Sequence, residues 1–165
     1  MRITLLGAGH IGQTIAHLLA DSGDYNVTVV DCSPAALARL DDPLSRLNRP
    51  RIQTRVADTA QAAELLAVLR GQDAVINALP YHLATLAATA ALEAGCHYFD
   101  LTEDVAATQF IQDLARAGGK GARTAFMPQC GLAPGFIGIV AHHLTKGFET
   151  LHDVKMRVGD RKSVV

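Results

Sequence analysis

The first residues with a recognisable chemical use form a glycine-rich loop near the N-terminus. Residues 7–12 read GAGHIG, which is the pattern GxGxxG. In such a loop the first glycine makes a tight turn, the second lets a pyrophosphate approach the backbone, and the third lets a helix pack closely on a strand. The free amides at the start of the following helix would then bind the phosphates. The loop therefore predicts a dinucleotide site.

An acidic residue lies 19 positions beyond the last glycine of this loop. Asp31 ends the apolar run at residues 27–30 and is followed by the neutral Cys32, with no arginine directly after it. A carboxylate at that place can accept hydrogen bonds from both hydroxyls of the adenosine ribose, and its charge repels a 2′-phosphate. We therefore expect NAD as the cofactor in preference to NADP. A structural turn with an ordinary aspartate is the weaker explanation of the combination.

Two further strand ends are expected at the same edge of the sheet. Asp58 could accept the amino group of adenine or cap the next helix, and both interpretations stay open. Residues 77–80 (NALP) could border the ribose and nicotinamide, or could be a plain strand exit enforced by Pro80. The predicted cofactor-binding residues are Gly7, Gly9, His10, Ile11, Gly12, Asp31, Cys32, Asp58, Ala78, Leu79 and Pro80.

Short apolar runs alternate with segments of helical periodicity, which is the pattern of repeated βαβ units. Nearly continuous apolar strands indicate a parallel sheet that is covered on both faces. The sequence thus predicts an α/β fold, a doubly wound (Rossmann) parallel sheet of six strands in three α/β/α layers. The predicted strands are residues 2–6, 27–30, 52–57, 74–78, 96–100 and 124–127.

In the first predicted helix, Ile11, Ile15, Leu18 and Leu19 repeat at helical spacing until Ser22 and Gly23 stop it. Another opens at Pro34, one is ended by Gly71, and one runs from about His82 to residue 94. Two more are predicted before Gly118 and between residues 136 and 146. Residues 153–158 alternate apolar with basic side chains. They predict an extra C-terminal edge strand, or the first strand of a further unit.

Composition excludes several classes of protein. The chain has 165 residues, 49% of them hydrophobic, which is enough for a packed core and argues against a disordered chain. A formal charge of −1 leaves no basic surface for nucleic acid. Three widely spaced cysteines argue for a reducing compartment, and no apolar run is long enough for a membrane span. We expect a cytoplasmic protein without nucleic-acid or membrane partners. The seven histidines lack clustered spacing, so no metal site is predicted.

Three segments extend the interpretation beyond the loop: NALPYH at residues 77–82, FDLTED at 99–104 and PQCGLAPGF at 128–136. With them, the chain resembles the saccharopine dehydrogenase-like family, which includes saccharopine reductases and lysine 6-dehydrogenase-like enzymes. The likeness covers about residues 1–158, the N-terminal dinucleotide-binding half of such proteins. It implies an oxidoreductase that passes hydride between a nicotinamide and the C–N bond of an amino acid or its imine adduct.

The resemblance also implies that Tyr81, Cys130 and Gly131 face the substrate, which would be a small molecule of the amino acid class. Tyr81 could instead pack at a helix start, and Cys130 could be an inert residue in a turn. Asp100, Thr102 and Glu103 follow the predicted fifth strand, but helix capping by Thr102 or Asp104 competes with a catalytic use. No catalytic residue is assigned.

The resemblance divides the chain at about residue 150. Residues 1–150 are expected to form the dinucleotide-binding domain, and residues 151–165 the start of a truncated or missing substrate and dimerisation domain. A homodimer is therefore one option for assembly. A cofactor half alone would bind NAD and turn over little. Two alternatives stay open: a nucleotide-sensing module of the kind that gates potassium transport, and an inactive fragment. The segment at 128–136 argues against the sensor.

Overall fold

The computed structural model describes residues 1–41, 52–118 and 123–157. Six strands form one sheet in the order β3-β2-β1-β4-β5-β6, and every neighbouring pair is parallel. This order places a topological switch point between β1 and β4, where ligands bind in open α/β sheets. The predicted parallel sheet is confirmed. The strands are β1 (Arg2–Leu6), β2 (Asn26–Asp31), β3 (Gln53–Val56), β4 (Ala74–Asn77), β5 (His97–Asp100) and β6 (Phe126–Met127).

Helices connect the strands at the predicted places. The helix predicted from His82 begins as a 3-10 turn, Tyr81–Leu83, directly after Pro80. A second 3-10 turn, Arg39–Asp41, continues the helix that opens at Pro34. The α-helices are α1 (His10–Ser22), α2 (Pro34–Ala38), α3 (Ala62–Leu69), α4 (Ala84–Ala94), α5 (Val105–Ala117) and α6 (Phe136–Thr145).

Local sequence explains where several helices begin and end. The hydroxyl of Ser33 accepts the N–H of Ala36 at the start of α2 (3.2 Å), and Pro34 occupies the first helical turn. Gly23 and Gly95 stop α1 and α4 in the left-handed conformation, with φ of 74° and 72°. That conformation suits glycine because it has no Cβ to clash with the backbone.

The sheet is covered on both faces, as the doubly wound prediction requires. Successive residues of a strand point to opposite faces, so Leu5 and Leu6 enter different core clusters. The Leu6 cluster includes Tyr98 and the helices α3 to α5, and the Leu5 cluster includes α2. Helix α4 buries five alanines, whose small side chains let it lie close to the sheet: Ala84, Ala87, Ala88, Ala90 and Ala91.

The predicted C-terminal strand is wrong within the part of it that the structure describes. Residues 153–157 have no strand conformation, and Val158 lies outside the described residues. Alternation stabilises a strand only when a neighbouring strand and a core accept it, whereas Val154 and Met156 are half exposed here. The sixth strand is also shorter than predicted, Phe126–Met127 instead of residues 124–127.

Candidate functional site

Each glycine of the loop at 7–12 has a different local surrounding. Gly7 has a φ of +96°, and a Cβ on it would lie 2.8 Å from the carbonyl oxygen of Ala78. A Cβ on Gly12 would overlap with the carbonyl oxygen of Gly7. By contrast, no atom would lie within 4 Å of a Cβ on Gly9. The backbone of Gly9 therefore faces open space, while Gly7 and Gly12 are fixed by close packing.

Helix α1 begins within this segment, at His10, with its N-terminal amides uncapped by side chains. Gly9 is the N-cap, no side chain accepts a hydrogen bond there, and the first turn carries no acidic residue. His10 and Ile11 are exposed in that turn. The Gln13 side chain donates to the carbonyl oxygen of Ala8 (2.8 Å) and braces the loop. The positive end of the helix dipole is thus available to an anion.

Asp31 holds the loop against the end of β2. Its Oδ2 accepts the N–H of Ala8 (2.7 Å), and its Oδ1 accepts the N–H of Ser33 (2.8 Å). A carboxylate has about four acceptor positions. Two of them stay available to a ligand, and the neighbouring Cys32 is an exposed free thiol. The anchoring of the loop by Asp31 was not predicted from the sequence.

Asp58 follows β3 and is exposed. Its Oδ1 accepts the N–H of Ala60 (3.0 Å), while its own N–H donates to Glu64 (2.8 Å). The N-cap of α3 is Gln61. Asp58 therefore caps the turn before α3 and not the helix itself. Contact with adenine stays a prediction.

A cleft of about 810 Å³ lies at the switch point, beside the start of α1. Ile11, Ala78 and Leu79 from the predicted set line it, together with Tyr81, which is 65% exposed. Pro80, between Leu79 and Tyr81, is exposed. Residues 101–106, the loop after β5 and the start of α5, form the rest of the lining. The walls are mostly apolar, which is the character of a cofactor or small-molecule cleft.

Most polar groups at the end of β5 are used by the fold. The Oδ1 of Asp104 accepts the N–H of Ala107 (2.7 Å) and caps α5, as the capping alternative predicted. Thr102 accepts the N–H of Asp104 (3.2 Å) through its hydroxyl. Glu103 is exposed and lines the cleft.

Cys130 and Gly131 lie in the turn after β6, packed against the end of β5. The N–H of Cys130 donates to the carbonyl oxygen of Asp100 (2.8 Å). A Cβ on Gly131 would lie 3.3 Å from the carbonyl oxygen of Leu101. Partial burial, helped by the charge of Asp100, raises the pKa of the Cys130 thiol, so it is protonated at neutral pH. Neither residue lines the cleft that contains Tyr81. The structure therefore does not bring the three predicted substrate residues into one cleft.

Within residues 1–41, 52–118 and 123–157, no group of three or more histidine, cysteine or acidic side chains is placed to hold a metal ion. None of the described helices is both long and apolar enough to span a membrane.

The strand order, the glycine loop at the switch point and the acid at the end of β2 together define a Rossmann-type dinucleotide-binding domain. Residues 3–126 match the family model described as the saccharopine dehydrogenase NADP binding domain. This match covers most of the chain. The chain therefore belongs to that family, and the resemblance seen in the sequence is confirmed. The potassium-transport sensor is not favoured.

Solved structures agree on the fold. Saccharopine dehydrogenase (L-Glu forming) from Saccharomyces cerevisiae is 25% identical, with a TM-score of 0.70 over 88% of this chain and 30% of that chain. Scyllo-inositol dehydrogenase from Lactobacillus casei is 18% identical, with a TM-score of 0.60 over 89% of this chain and 41% of the other. A Rossmann-fold NAD(P)-binding family protein from Shigella flexneri is 18% identical, with a TM-score of 0.52 over 77% and 66%. The chain spans less than a third of the yeast protein's length.

Proposed function

We propose that this chain binds NAD and forms the cofactor half of an oxidoreductase that acts on the C–N bond of an amino acid or its imine adduct. The observation that carries the proposal is the uncapped start of α1 beside Asp31, at the switch point of the sheet. Family membership and the yeast saccharopine dehydrogenase support the class of reaction.

The pyrophosphate would lie over Gly9, where the backbone is open, and would accept hydrogen bonds from the amides of His10, Ile11 and Gly12. The free acceptor positions of Asp31 would bind the two ribose hydroxyls of adenosine. Cys32 would border that ribose, and Asp58 would lie near adenine.

The apolar cleft would hold the nicotinamide half of the cofactor. In this arrangement Ile11, Ala78 and Leu79 exclude water from one side, and Pro80 fixes the turn that carries Tyr81. A bound nicotinamide supplies the hydride chemistry. The chain's own part is to orient that ring in a dry site. We assign the substrate side to Tyr81, Cys130 and Gly131, and no proton-transfer residue.

A second domain is part of this proposal. The yeast relative extends far beyond the matched region. Helix α6 has no buried residue although its side chains are mainly apolar, so it suits coverage by further protein. We therefore retain residues 151–165 as the start of a substrate and dimerisation domain. Homodimer formation and a cytoplasmic location stay predictions.

The preference for NAD rests on the charge of Asp31, although the family is described by its binding of NADP. An anionic side chain at the ribose would repel a 2′-phosphate, and Cys32 offers no compensating charge. Calorimetric titration of the wild-type chain should give tighter binding of NADH than of NADPH. Equal affinity for the two would contradict the role of Asp31.

The matching variant is Asp31→Asn, which removes the charge and keeps the shape. Both affinities should fall because an amide cannot accept from both Ala8 and Ser33. The ratio of NADH to NADPH affinity should fall by about tenfold, equivalent to the loss of one charge-dependent contact. Asp24→Asn is the control, since it removes the same charge from the turn before β2, at the opposite end of that strand. An unchanged ratio in Asp31→Asn would refute charge-based discrimination.

A further inference from the structure

Three buried polar side chains join β4 to β5 behind the wall of the cleft. The Nδ2 of Asn77 donates to the hydroxyl of Tyr98 (3.1 Å), and that hydroxyl donates to the Oδ2 of Asp100 (2.9 Å). Asn77 and Asp100 are register partners in the sheet, and Tyr98 precedes Asp100 by two residues on the same face. Each of the three is at most 3% exposed. We call this set the Asn77–Tyr98–Asp100 chain.

Both ends of the chain hold backbone amides of loops. At one end the Oδ1 of Asn77 accepts the N–H of Leu79 (3.1 Å). At the other end the Oδ1 of Asp100 accepts the N–H groups of Thr102 (3.1 Å) and Gln129 (3.0 Å). The chain therefore connects the loops that leave three neighbouring strands, β4, β5 and β6. Leu79 and Thr102 both line the cleft.

The direction of each hydrogen bond in the chain follows from its partners. The Tyr98 hydroxyl has a second acceptor in the carbonyl oxygen of Ala84 (3.2 Å), but the Oδ2 of Asp100 is closer (2.9 Å). A backbone N–H can only donate, so the oxygen of the Asn77 amide must face Leu79 and its nitrogen must face Tyr98. Burial raises the pKa of Tyr98, and the nearby charge of Asp100 adds to the effect. The phenol therefore keeps its proton to donate to Asp100. Such a fully satisfied buried network specifies one arrangement of the groups it holds.

The turn after β6 has a second reason to need this support. Gln129 has a φ of 65°, a left-handed conformation that is uncommon for residues other than glycine. Its N–H is bonded to Asp100, and the N–H of the next residue, Cys130, is bonded to the carbonyl oxygen of Asp100. Asp100 thus fixes the turn that carries the proposed substrate-side residues.

We propose that Tyr98 and Asp100 are positioning residues, which set the location of Leu79 at the nicotinamide end of the cleft relative to the loops at Thr102 and Gln129. This inference rests on the proposed function, because it takes the cleft to be the nicotinamide site. Neither residue is among those that line the cleft. They act through the backbone amides that the Asn77–Tyr98–Asp100 chain holds.

Tyr98→Phe tests the proposal because it removes only the hydroxyl. It leaves the Nδ2 of Asn77 and the Oδ2 of Asp100 buried without their partner, so the Leu79 loop loses its fixed position. The two probes are NADH and ADP-ribose, which lacks the nicotinamide. We expect NADH affinity to fall by about tenfold, the factor that corresponds to one net hydrogen bond. ADP-ribose affinity should stay within about twofold, since its phosphates and ribose would contact the loop at 7–12 and Asp31.

Two further variants separate positioning from general destabilisation. Thr4→Val also removes a buried hydroxyl from the sheet, but that of Thr4 has no partner among the described residues. It should leave both affinities unchanged. Asp100→Asn keeps an oxygen for the amides of Thr102 and Gln129, so it should retain much more NADH affinity than Asp100→Ala.

The outcomes distinguish failure of the proposed cofactor binding from failure of the positioning role alone. If the wild-type chain binds neither nucleotide, the proposed function fails and this inference fails with it. A second outcome is that the wild type binds both nucleotides while Tyr98→Phe lowers the two affinities equally or lowers neither. In that case the positioning role is wrong and cofactor binding stands. Circular dichroism checks folding. If Tyr98→Phe does not fold, Asn77→Ala replaces it, because it cuts the same chain at the Leu79 end and carries the same expectation.

Discussion

Gly9 and Gly12 stand three residues apart in one loop, yet they are required for different physical reasons. Gly9 has a φ of −68°, which alanine adopts readily, and a Cβ there would meet no atom. Gly9→Ala should therefore leave the free energy of unfolding almost unchanged. It should nevertheless weaken NADH binding by about tenfold or more, because the methyl group occupies the approach of the pyrophosphate.

Gly12→Ala is the matched comparison and should show the reverse order of effects. Its Cβ would overlap with the carbonyl oxygen of Gly7, so the first turn of α1 has to move away from the loop. Overpacking of this kind typically costs about 1–3 kcal/mol of stability. Urea unfolding and NADH titration of both variants check the pair. Equal destabilisation by the two alanines would contradict the distinction.

At the residue scale, the sequence predicted the glycine loop and Asp31 because their spacing is local and their chemistry is specific. It did not predict that Asp31 also anchors Ala8, since this contact depends on how the loop folds over β2. It also missed Tyr98, which occurs in a short apolar strand and looks like an ordinary core residue. The link from Asn77 to Asp100 requires β4 to lie beside β5 in a particular register.

Helix α5 contributes Val105 and Ala106 to the wall of the cleft, and one side chain caps its start. Asp104 accepts the N–H of Ala107 at the N-terminus of the helix. Asp104→Ala should lower the free energy of unfolding by about 1 kcal/mol, the usual cost of a lost N-cap. Asp104→Asn should lower it much less, because asparagine is also a good N-cap.

Asp113→Ala, in the same helix, provides a control for the loss of a carboxylate. Its partners are Arg116 at i,i+3 and Gln109 at i,i−4, and these contacts are exposed, so they contribute little stability. Urea denaturation of the three variants gives the comparison. An Asp104→Ala variant as stable as the wild type would show that the cap contributes nothing.

Element types were easier to predict than element ends. All six strands and the helices between them have their predicted type, because each repeats an apolar pattern of the correct period. The strand predicted at 153–158 failed because alternation alone cannot supply a pairing partner. Helix α6 was predicted correctly as an element, but its mainly apolar sequence did not reveal that it would bury no side chain.

The whole molecule divides into a well-packed sheet and an uncovered C-terminal region. Two core clusters cover the faces of the sheet. In contrast, eight large apolar side chains of residues 132–156 are about half exposed or more. They are Leu132, Phe136, Ile139, Leu144, Phe148, Leu151, Val154 and Met156. A large exposed apolar area marks an interaction surface or an aggregation risk.

Replacing part of this surface should therefore leave the fold intact. Phe136 and Ile139 are 60% and 70% exposed, so Phe136→Ser with Ile139→Ser removes little buried area. Surface substitutions usually change the free energy of unfolding by no more than about 0.5 kcal/mol. We therefore expect the thermal midpoint of the chain to change by only a few degrees. Self-association, measured by analytical ultracentrifugation, should decrease because less apolar surface meets water.

A core substitution shows how large a loss of stability the surface double variant should be compared with. Ile111 on α5 is fully buried in the Leu6 cluster, so Ile111→Ala should cost about 2–5 kcal/mol and lower the midpoint strongly. If the Phe136 and Ile139 double variant were destabilised as much as Ile111→Ala, α6 would have to be part of the folding core. If it keeps its stability and its NADH affinity, the nucleotide-binding unit folds without help from α6, whose apolar face is then available to further protein.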